Sequence, residues 1–149
     1  MRVVVLYESR TGNTRRAAEL LGGAAGARGH AVGVYRVRDF DFKELALADA
    51  VFIGTWCDGL IVVGHRPGSA RQLDRHLPVL DGKQVGVFLT YAVNPGKGLR
   101  KLARLVEGKG AEVVAGRTYR RDRLDDASAI ASLVDAVIYS PSAEPADVP

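Results

Sequence analysis

Five short apolar runs are spaced along the chain, and stretches with helical spacing separate them. The first run, residues 2–7, shows no alternation of apolar and polar positions, so it predicts a strand buried on both faces, as in a parallel sheet. Further strands are predicted at residues 31–36, 49–54, 84–89 and 111–115. Strands that alternate with helices favour an open parallel sheet covered by helices on both sides.

The predicted helices come from apolar stripes and from capping residues. A stripe that starts at Asn13 and stops before Gly29 is typical of a helix packed on a sheet. A short helix or turn is predicted within residues 39–47, and the last helix spans residues 124–138. Ser69 opens a capping box for one further helix, and Asn94, followed by a proline, is the predicted N-cap of another that ends at Gly108. The fold class is therefore α/β, with a three-layer, doubly wound, five-stranded parallel sheet.

The length and the single cysteine limit the organisation of the chain. Its 149 residues fit one domain, predicted to span residues 1–139. Residues 140–149 hold three of the six prolines and are predicted to form a disordered tail. Cys57 has no second cysteine to pair with, which fits a reducing compartment. No apolar run is long enough for a membrane span, so a cytoplasmic protein is expected.

The chain is basic, with a formal net charge of +4 and a pI of about 9.5. The basic residues are spread out, apart from a run at residues 117–123, and no nucleic-acid-binding signature accompanies them, so nucleic acid is an unlikely partner. That run is interpreted as a solvated connection, with docking of an acidic partner as the alternative. The histidines lack metal-ligand spacing, so no metal site is predicted.

Candidate chemistry begins directly after the first strand, at Ser9-Arg10-Thr11-Gly12-Asn13-Thr14. Three hydroxyls, a carboxamide and a glycine lie there between a strand and the N-terminus of a helix. The free N–H groups of such a turn point at one place, and the helix dipole adds partial positive charge. The segment therefore predicts an anion site.

Two more loops are expected at the same edge of the sheet, because ligands of open α/β sheets bind beyond the carboxyl ends of the strands. The loop after the third strand starts with Thr55 and Trp56, and the loop after the fourth strand runs from Thr90 to Asn94. Trp56 and Tyr91 each bring an aromatic ring to this edge. A phosphate on one side and a flat ring system on the other is the predicted ligand.

These residues give the chain a resemblance to the flavodoxin family, in its short form without an inserted segment, over roughly residues 2–138. The resemblance implies strand order 2-1-3-4-5, bound flavin mononucleotide (FMN) between the first and third strands, and electron transfer to a redox partner protein. It also implies that the first loop bonds the phosphate through side chains and backbone N–H groups, and that Trp56 stacks on the flavin. The FMN-binding residues implied in this way are Ser9, Arg10, Thr11, Gly12, Asn13, Thr14, Thr55, Trp56, Cys57, Asp58, Gly59, Thr90, Tyr91 and Asn94.

The chain departs from the family after Trp56. Members often carry glycine there, and its peptide can rotate to bond the reduced flavin, whereas this chain has Cys57. Few acidic residues flank the expected flavin, and Arg66 and Lys97 are near, so a less negative reduction potential than is typical of flavodoxins is predicted.

Three functions are compatible with these features. The first is an electron carrier in which no residue acts as acid or base and whose redox partner has an acidic docking face. The second is an FMN-dependent oxidoreductase acting on a quinone or porphyrinogen, with the apolar residues of loop 57–66 as a substrate wall. The third is a scaffold that no longer binds FMN, which the intact hydroxyl loop disfavours. Whether the chain is an enzyme is left open by the sequence.

Overall fold

The computed structural model describes residues 1–57 and 70–140. Within these ranges the chain forms five strands and five helices in alternation. In chain order they are β1 (Arg2–Tyr7), α1 (Asn13–Ala27), β2 (Ala31–Arg36), α2 (Phe42–Ala46), β3 (Ala50–Trp56), α3 (Ala70–His76), β4 (Gln84–Tyr91), α4 (Gly98–Glu107), β5 (Glu112–Arg120) and α5 (Ala127–Ile138).

All strands are parallel, and the sheet has the order β2-β1-β3-β4-β5, which confirms the predicted topology. The chain leaves β1 to one side to form β2 and then returns to the other side to form β3. The carboxyl ends of β1 and β3 therefore flank the topological switch point, where ligands of such sheets bind.

Two apolar clusters cover the two faces of the sheet. The cluster on one face includes Leu21 of α1 and Val134 of α5, and the cluster on the other includes Leu45 of α2, Leu73 of α3 and Leu102 of α4. The central strands are buried on both faces, which explains why their sequences are apolar without alternation. Among the described helices, none is long and apolar enough to cross a membrane.

Several predicted boundaries were wrong, mainly at the carboxyl ends of strands. Residues predicted to lie in loops, Thr55 and Trp56 as well as Thr90 and Tyr91, are the last residues of β3 and β4. The strand β5 continues to Arg120, so residues 117–120 of the basic run at residues 117–123 are strand and not a solvated connection. These strand ends carry polar or aromatic side chains. The apolar pattern in the sequence therefore stops before the hydrogen-bonded pairing of the strands does.

Two helix starts were also wrong. The helix α4 begins at Gly98 with Lys97 as N-cap, whereas Asn94 Oδ1 accepts a hydrogen bond of 2.9 Å from the Gly96 amide in a local turn. The helix α5 begins at Ala127, because the Asp126 side chain accepts from the Ala129 amide and caps it there.

Two predictions, the N-cap of the helix after β3 and the C-terminal tail, fall largely on residues that are not described. The predicted capping serine Ser69 lies outside the described residues, and so do residues 141–149 of the predicted tail. Ser140 is buried, and its amide donates to the Val137 carbonyl at 3.3 Å.

Candidate functional site

A cavity of about 320 Å³ lies at the carboxyl edge of the sheet, beside the switch point between β1 and β3. Four parts of the chain meet there: the loop from β1 to α1, the end of β3, the end of β4 and the residue after β5. Its described lining consists of Arg10, Thr11, Asn13, Thr14, Trp56, Cys57, Thr90, Tyr91, Ala92 and Arg121. The volume lies within the range of ordinary small-molecule sites.

The loop between β1 and α1 presents the N-terminus of a 15-residue helix to this cavity. Gly12, the N-cap, has φ of 95°, a left-handed conformation that glycine adopts without strain. The first backbone bond of the helix runs from the Arg16 amide to the Gly12 carbonyl at 3.0 Å, and no side chain caps the helix. The amides of the first turn thus have no partner within the helix, and they suit an anion.

Side chains of this loop bond one another. The Gly12 amide donates to Ser9 Oγ at 3.1 Å, and Asn13 Nδ2 donates to Thr11 Oγ1 at 3.2 Å. The Gly12 amide is therefore engaged locally, so its predicted bond to a phosphate requires it to leave Ser9. The Ser9 hydroxyl hydrogen is not used in this bond and remains able to donate.

A buried pair of hydroxyls ties the loop to β4. Thr14 Oγ1 and Thr90 Oγ1 lie 2.8 Å apart, and both residues are almost fully buried while still lining the cavity. Each hydroxyl carries one hydrogen, and only one of the two donates across the pair. The other hydrogen can serve a ligand acceptor in the cavity.

Two aromatic side chains line the same cavity. Trp56 and Tyr91 end neighbouring strands and are both half-buried. Among the described residues, Trp56 Nε1 is a buried donor without a hydrogen-bond partner. An unpaired buried N–H is costly, so this indole edge fits a ligand that brings an acceptor.

Cys57 follows Trp56 and joins the ends of β3 and β4. Its amide donates to the Thr90 carbonyl at 2.7 Å. Its Sγ lies 3.5 Å from the Pro95 carbonyl oxygen and 3.8 Å from that of Asn94. The thiol is thus directed at the backbone that follows β4, which holds the peptide after Trp56 in place.

Arg121 is a lining residue that was not predicted as part of the site. Its amide donates to the Tyr91 carbonyl at 2.9 Å, which continues the pairing of β5 with β4. The one signal in the sequence was the basic run at residues 117–123, which was interpreted as a connection because β5 was predicted to end at residue 115. Of the two cations expected near the flavin, Lys97 lines a different cavity between α4 and β5, and Arg66 lies outside the described residues.

The remaining predicted residues do not line the cavity or are not described. Ser9 and Gly12 belong to the loop between β1 and α1 but do not line the cavity, Thr55 is fully buried in β3, and Asn94 is exposed beyond β4. Asp58 and Gly59 lie outside the described residues. Among the described residues, no group of three metal-ligating side chains is found.

A buried carboxylate lies at the start of the loop between β1 and α1. Glu8 follows β1, its amide donates to the Gly54 carbonyl at 3.1 Å, and its side chain is only 6% exposed. Arg38 donates to both carboxylate oxygens, at 3.1 and 3.3 Å. The bond to Glu8, and then its charge, raise the pKa of Arg38 above its usual value. The guanidinium thus compensates a negative charge that would otherwise repel an anion in the loop.

The family model of the flavodoxin domain matches residues 4–115, and the chain therefore belongs to this family. Flavodoxins bind FMN and transfer electrons to redox partner proteins, so the chain is an FMN-binding electron-transfer protein of the flavodoxin type. The residues that line the cavity fit this cofactor, because they combine an uncapped helix N-terminus and its hydroxyls with two aromatic rings, one of which carries an N–H that no described residue pairs.

Solved structures agree with this assignment. The two-electron-reduced flavodoxin of Megasphaera elsdenii is 26% identical, with a TM-score of 0.74, over 93% of this chain and 99% of that one. Oxidised Flavodoxin 1 of Bacillus cereus shares the fold, at 18% identity and a TM-score of 0.72, over 94% of this chain and 99% of that one. Rubredoxin oxygen:oxidoreductase of Desulfovibrio gigas shares it at 20% identity and a TM-score of 0.59, over 91% of this chain but 36% of that one. No curated protein matches the sequence.

Proposed function

We propose that the protein carries single electrons on an FMN whose phosphate binds the loop at residues 9–14 and whose ring lies between Trp56 and Tyr91. The observation that carries this proposal is the cavity itself. It joins an uncapped helix N-terminus to two aromatic side chains within about 320 Å³. When bound, FMN supplies the electron-transfer chemistry, and the protein supplies binding, orientation and electrostatics.

The phosphate end binds without requiring a positive side chain. First-turn amides of α1, the hydroxyls of Thr11 and Thr14 and the carboxamide of Asn13 supply donors. Arg10 lines the same end and adds charge. A dianion held by several such donors gains about 1.5–3 kcal/mol from each charge-assisted bond.

Titrations with FMN and riboflavin, followed by flavin fluorescence, test this placement. Riboflavin lacks the phosphate, so it is expected to bind at least about 100-fold more weakly than FMN, since about 1.4 kcal/mol corresponds to tenfold. Asn13→Ala should weaken FMN but not riboflavin, whereas Trp56→Leu should weaken both alike. Equal affinities of the wild-type protein for the two ligands would contradict the phosphate site.

Stepwise anaerobic reduction of the FMN-loaded protein, followed by absorbance, distinguishes the carrier from the enzyme. Accumulation of the one-electron-reduced cofactor supports the carrier. Direct two-electron bleaching supports the oxidoreductase acting on a quinone or porphyrinogen. Absence of FMN binding contradicts both. The feature that favours the enzyme is Cys57, because its thiol contacts at Asn94 and Pro95 anchor a peptide where flavodoxins often carry the freer glycine.

The proposed redox partner presents an acidic docking face. Arg10 and Arg121 are exposed and line the cavity, Arg123 is exposed two positions further along the chain, and Arg120 is held by Asp122 at 3.0 Å. Such a basic rim raises the encounter rate with negatively charged partners, and salt screens the effect. A cytoplasmic location stays a prediction from the single cysteine.

Small oxidants of opposite charge test the docking charge without an identified partner. Electron transfer from the reduced protein to ferricyanide should slow as ionic strength rises, whereas transfer to a hexaammine cobalt cation should speed up. Arg123→Glu should reduce the salt dependence with ferricyanide. Salt dependence of the same sign for both oxidants would contradict the basic docking face.

A further inference from the structure

We propose that Arg121 sets the reduction potential of the bound flavin, by placing a positive charge that no described carboxylate neutralises at the ring end of the cavity. The inference rests on the proposed position of the flavin between Trp56 and Tyr91. It concerns a residue that lies outside the segment matched to the family model, which ends at residue 115.

The position of Arg121 is fixed by the sheet. The register between β4 and β5 ends with Tyr91 opposite Arg120, and the Arg121 amide adds one more bond to the Tyr91 carbonyl at 2.9 Å. Arg121 therefore follows directly beside the aromatic residue that lines the ring end. Its inclusion in the cavity wall is a consequence of strand pairing.

The charge of Arg121 is not neutralised by the described residues. No described carboxylate lies within 4.0 Å of its guanidinium, and the adjacent acidic side chain, Asp122, pairs with Arg120 instead. The described lining of the cavity contains two guanidinium groups, Arg10 and Arg121, and no carboxylate. The electrostatic environment at the ring end is thus positive among the residues that the structure describes.

A positive charge beside the ring favours the more negatively charged redox state of the cofactor. Reduction adds negative charge to the ring system, so Arg121 binds the reduced form more strongly than the oxidised form. The phosphate keeps its charge during reduction, so Arg10 at the phosphate end binds both forms alike. Substitution of Arg121 is therefore expected to change the reduction potential, whereas substitution of Arg10 is expected to change only the affinity for FMN.

The test replaces each arginine in the FMN-loaded protein and measures both quantities. Arg121→Gln is expected to raise the ratio of the dissociation constants of reduced and oxidised FMN about tenfold, which lowers a one-electron couple by about 59 mV. Arg121→Lys keeps the charge and should retain most of the wild-type potential. Arg10→Gln should weaken FMN, spare riboflavin and leave the potential unchanged. The effect of Arg121→Gln should shrink at high salt, because the side chain is exposed.

Two results would overturn the inference. A change below about threefold in the ratio for Arg121→Gln would show that the charge does not act on the ring. An equal shift for Arg121→Lys would show that shape, and not charge, is responsible. If the wild-type protein fails to bind FMN, or binds riboflavin equally well, the proposed function fails first, which is a separate outcome.

Discussion

At the proposed phosphate end of the cavity, the lining residues come from one segment, residues 10–14, whereas at the proposed ring end Trp56 and Tyr91 end two strands and Arg121 follows a third. The phosphate end works through local structure, namely the N-terminus of α1 and the hydroxyls beside it. The ring end exists only once β3, β4 and β5 are paired in register. A local motif thus defines the cofactor class, while the sheet defines the environment of the reacting ring.

Gly54 lies in β3 between the strands that lead to the two ends of the cavity. Of these variants, Gly54→Ala is expected to lower the free energy of unfolding the most. This residue pairs with Tyr7 of β1 and Phe88 of β4, and its carbonyl accepts the Glu8 amide at the start of the phosphate loop. A Cβ at this position would overlap the Phe88 ring. The free energy of unfolding, measured with urea, should fall by about 3 kcal/mol, and both FMN and riboflavin should bind more weakly.

Gly23→Ala is the matched control, because Gly23 lies in α1 and a Cβ added there would have no neighbouring atom within 4 Å. It should raise the free energy of unfolding by about 0.5–1 kcal/mol, since alanine is the better helix former. A loss below about 0.5 kcal/mol for Gly54→Ala would contradict the tight packing between β3 and Phe88.

Thr14→Val tests the hydroxyl pair that links the phosphate end to the ring end. It leaves the buried Thr90 hydroxyl without its partner, so unfolding should become easier by about 1–3 kcal/mol. The double variant Thr14→Val/Thr90→Val should lose less than the sum of the two single variants, because the pair is removed as a unit. Thr118→Val in β5, outside the flavin cavity, is the control. Additive losses would contradict coupling of the two ends.

The fold was predictable because buried parallel strands and amphipathic helices leave strong periodic signals. What failed was the end of β3, β4 and β5, whereas β1 ends at Tyr7 as predicted. Thr90 and Tyr91, like residues 117–120, continue the pairing with polar or aromatic side chains, because Thr90 and Tyr91 line a cavity and β5 is an edge strand. A prediction based on apolar character therefore places the end of such a strand too early.

The same reason explains which site residues the sequence revealed. Arg10, Thr11, Asn13 and Thr14, which line the cavity, were predicted because they lie together in a short segment that runs into the first turn of a helix. Arg121 was missed because its place beside Tyr91 depends on the full length of β5. Asn94 was misassigned because its side chain satisfies the Gly96 amide in a turn, a role that an asparagine before a proline shares with helix capping.

Tyr119→Phe tests the hydrogen bond that joins the end of β5 to α5. The Tyr119 hydroxyl donates to the Ala129 carbonyl at 3.2 Å, and burial raises the pKa of this phenol above its usual value. Loss of the bond should cost about 1 kcal/mol of unfolding free energy at neutral pH. Because the folded pKa is raised, the wild-type protein should lose stability as the pH rises above about 10, the value in the unfolded chain.

Urea unfolding at several alkaline pH values checks this dependence. The Tyr119→Phe variant should lose less stability than the wild-type protein between about pH 9 and about pH 11, a range set by the ordinary value of about 10. Tyr139→Phe, at an exposed tyrosine, should follow the wild-type protein. Identical alkaline slopes for all three proteins would contradict a neutral, buried Tyr119.

Arg38→Gln has the smallest expected effect on FMN affinity. It tests whether Arg38 acts on the phosphate through its charge or only by supporting the conformation of the loop. It removes the partner of the buried Glu8 carboxylate, which then repels the phosphate of FMN. FMN should bind roughly two- to fivefold more weakly, a small factor because Arg38 is about half exposed and salt-screened, while riboflavin should be unaffected. Arg28→Gln, which removes a cation paired with Asp135 at the other end of α1 and outside the cavity, is the control. Equal weakening of FMN and riboflavin would show that Arg38 supports the loop only by shape.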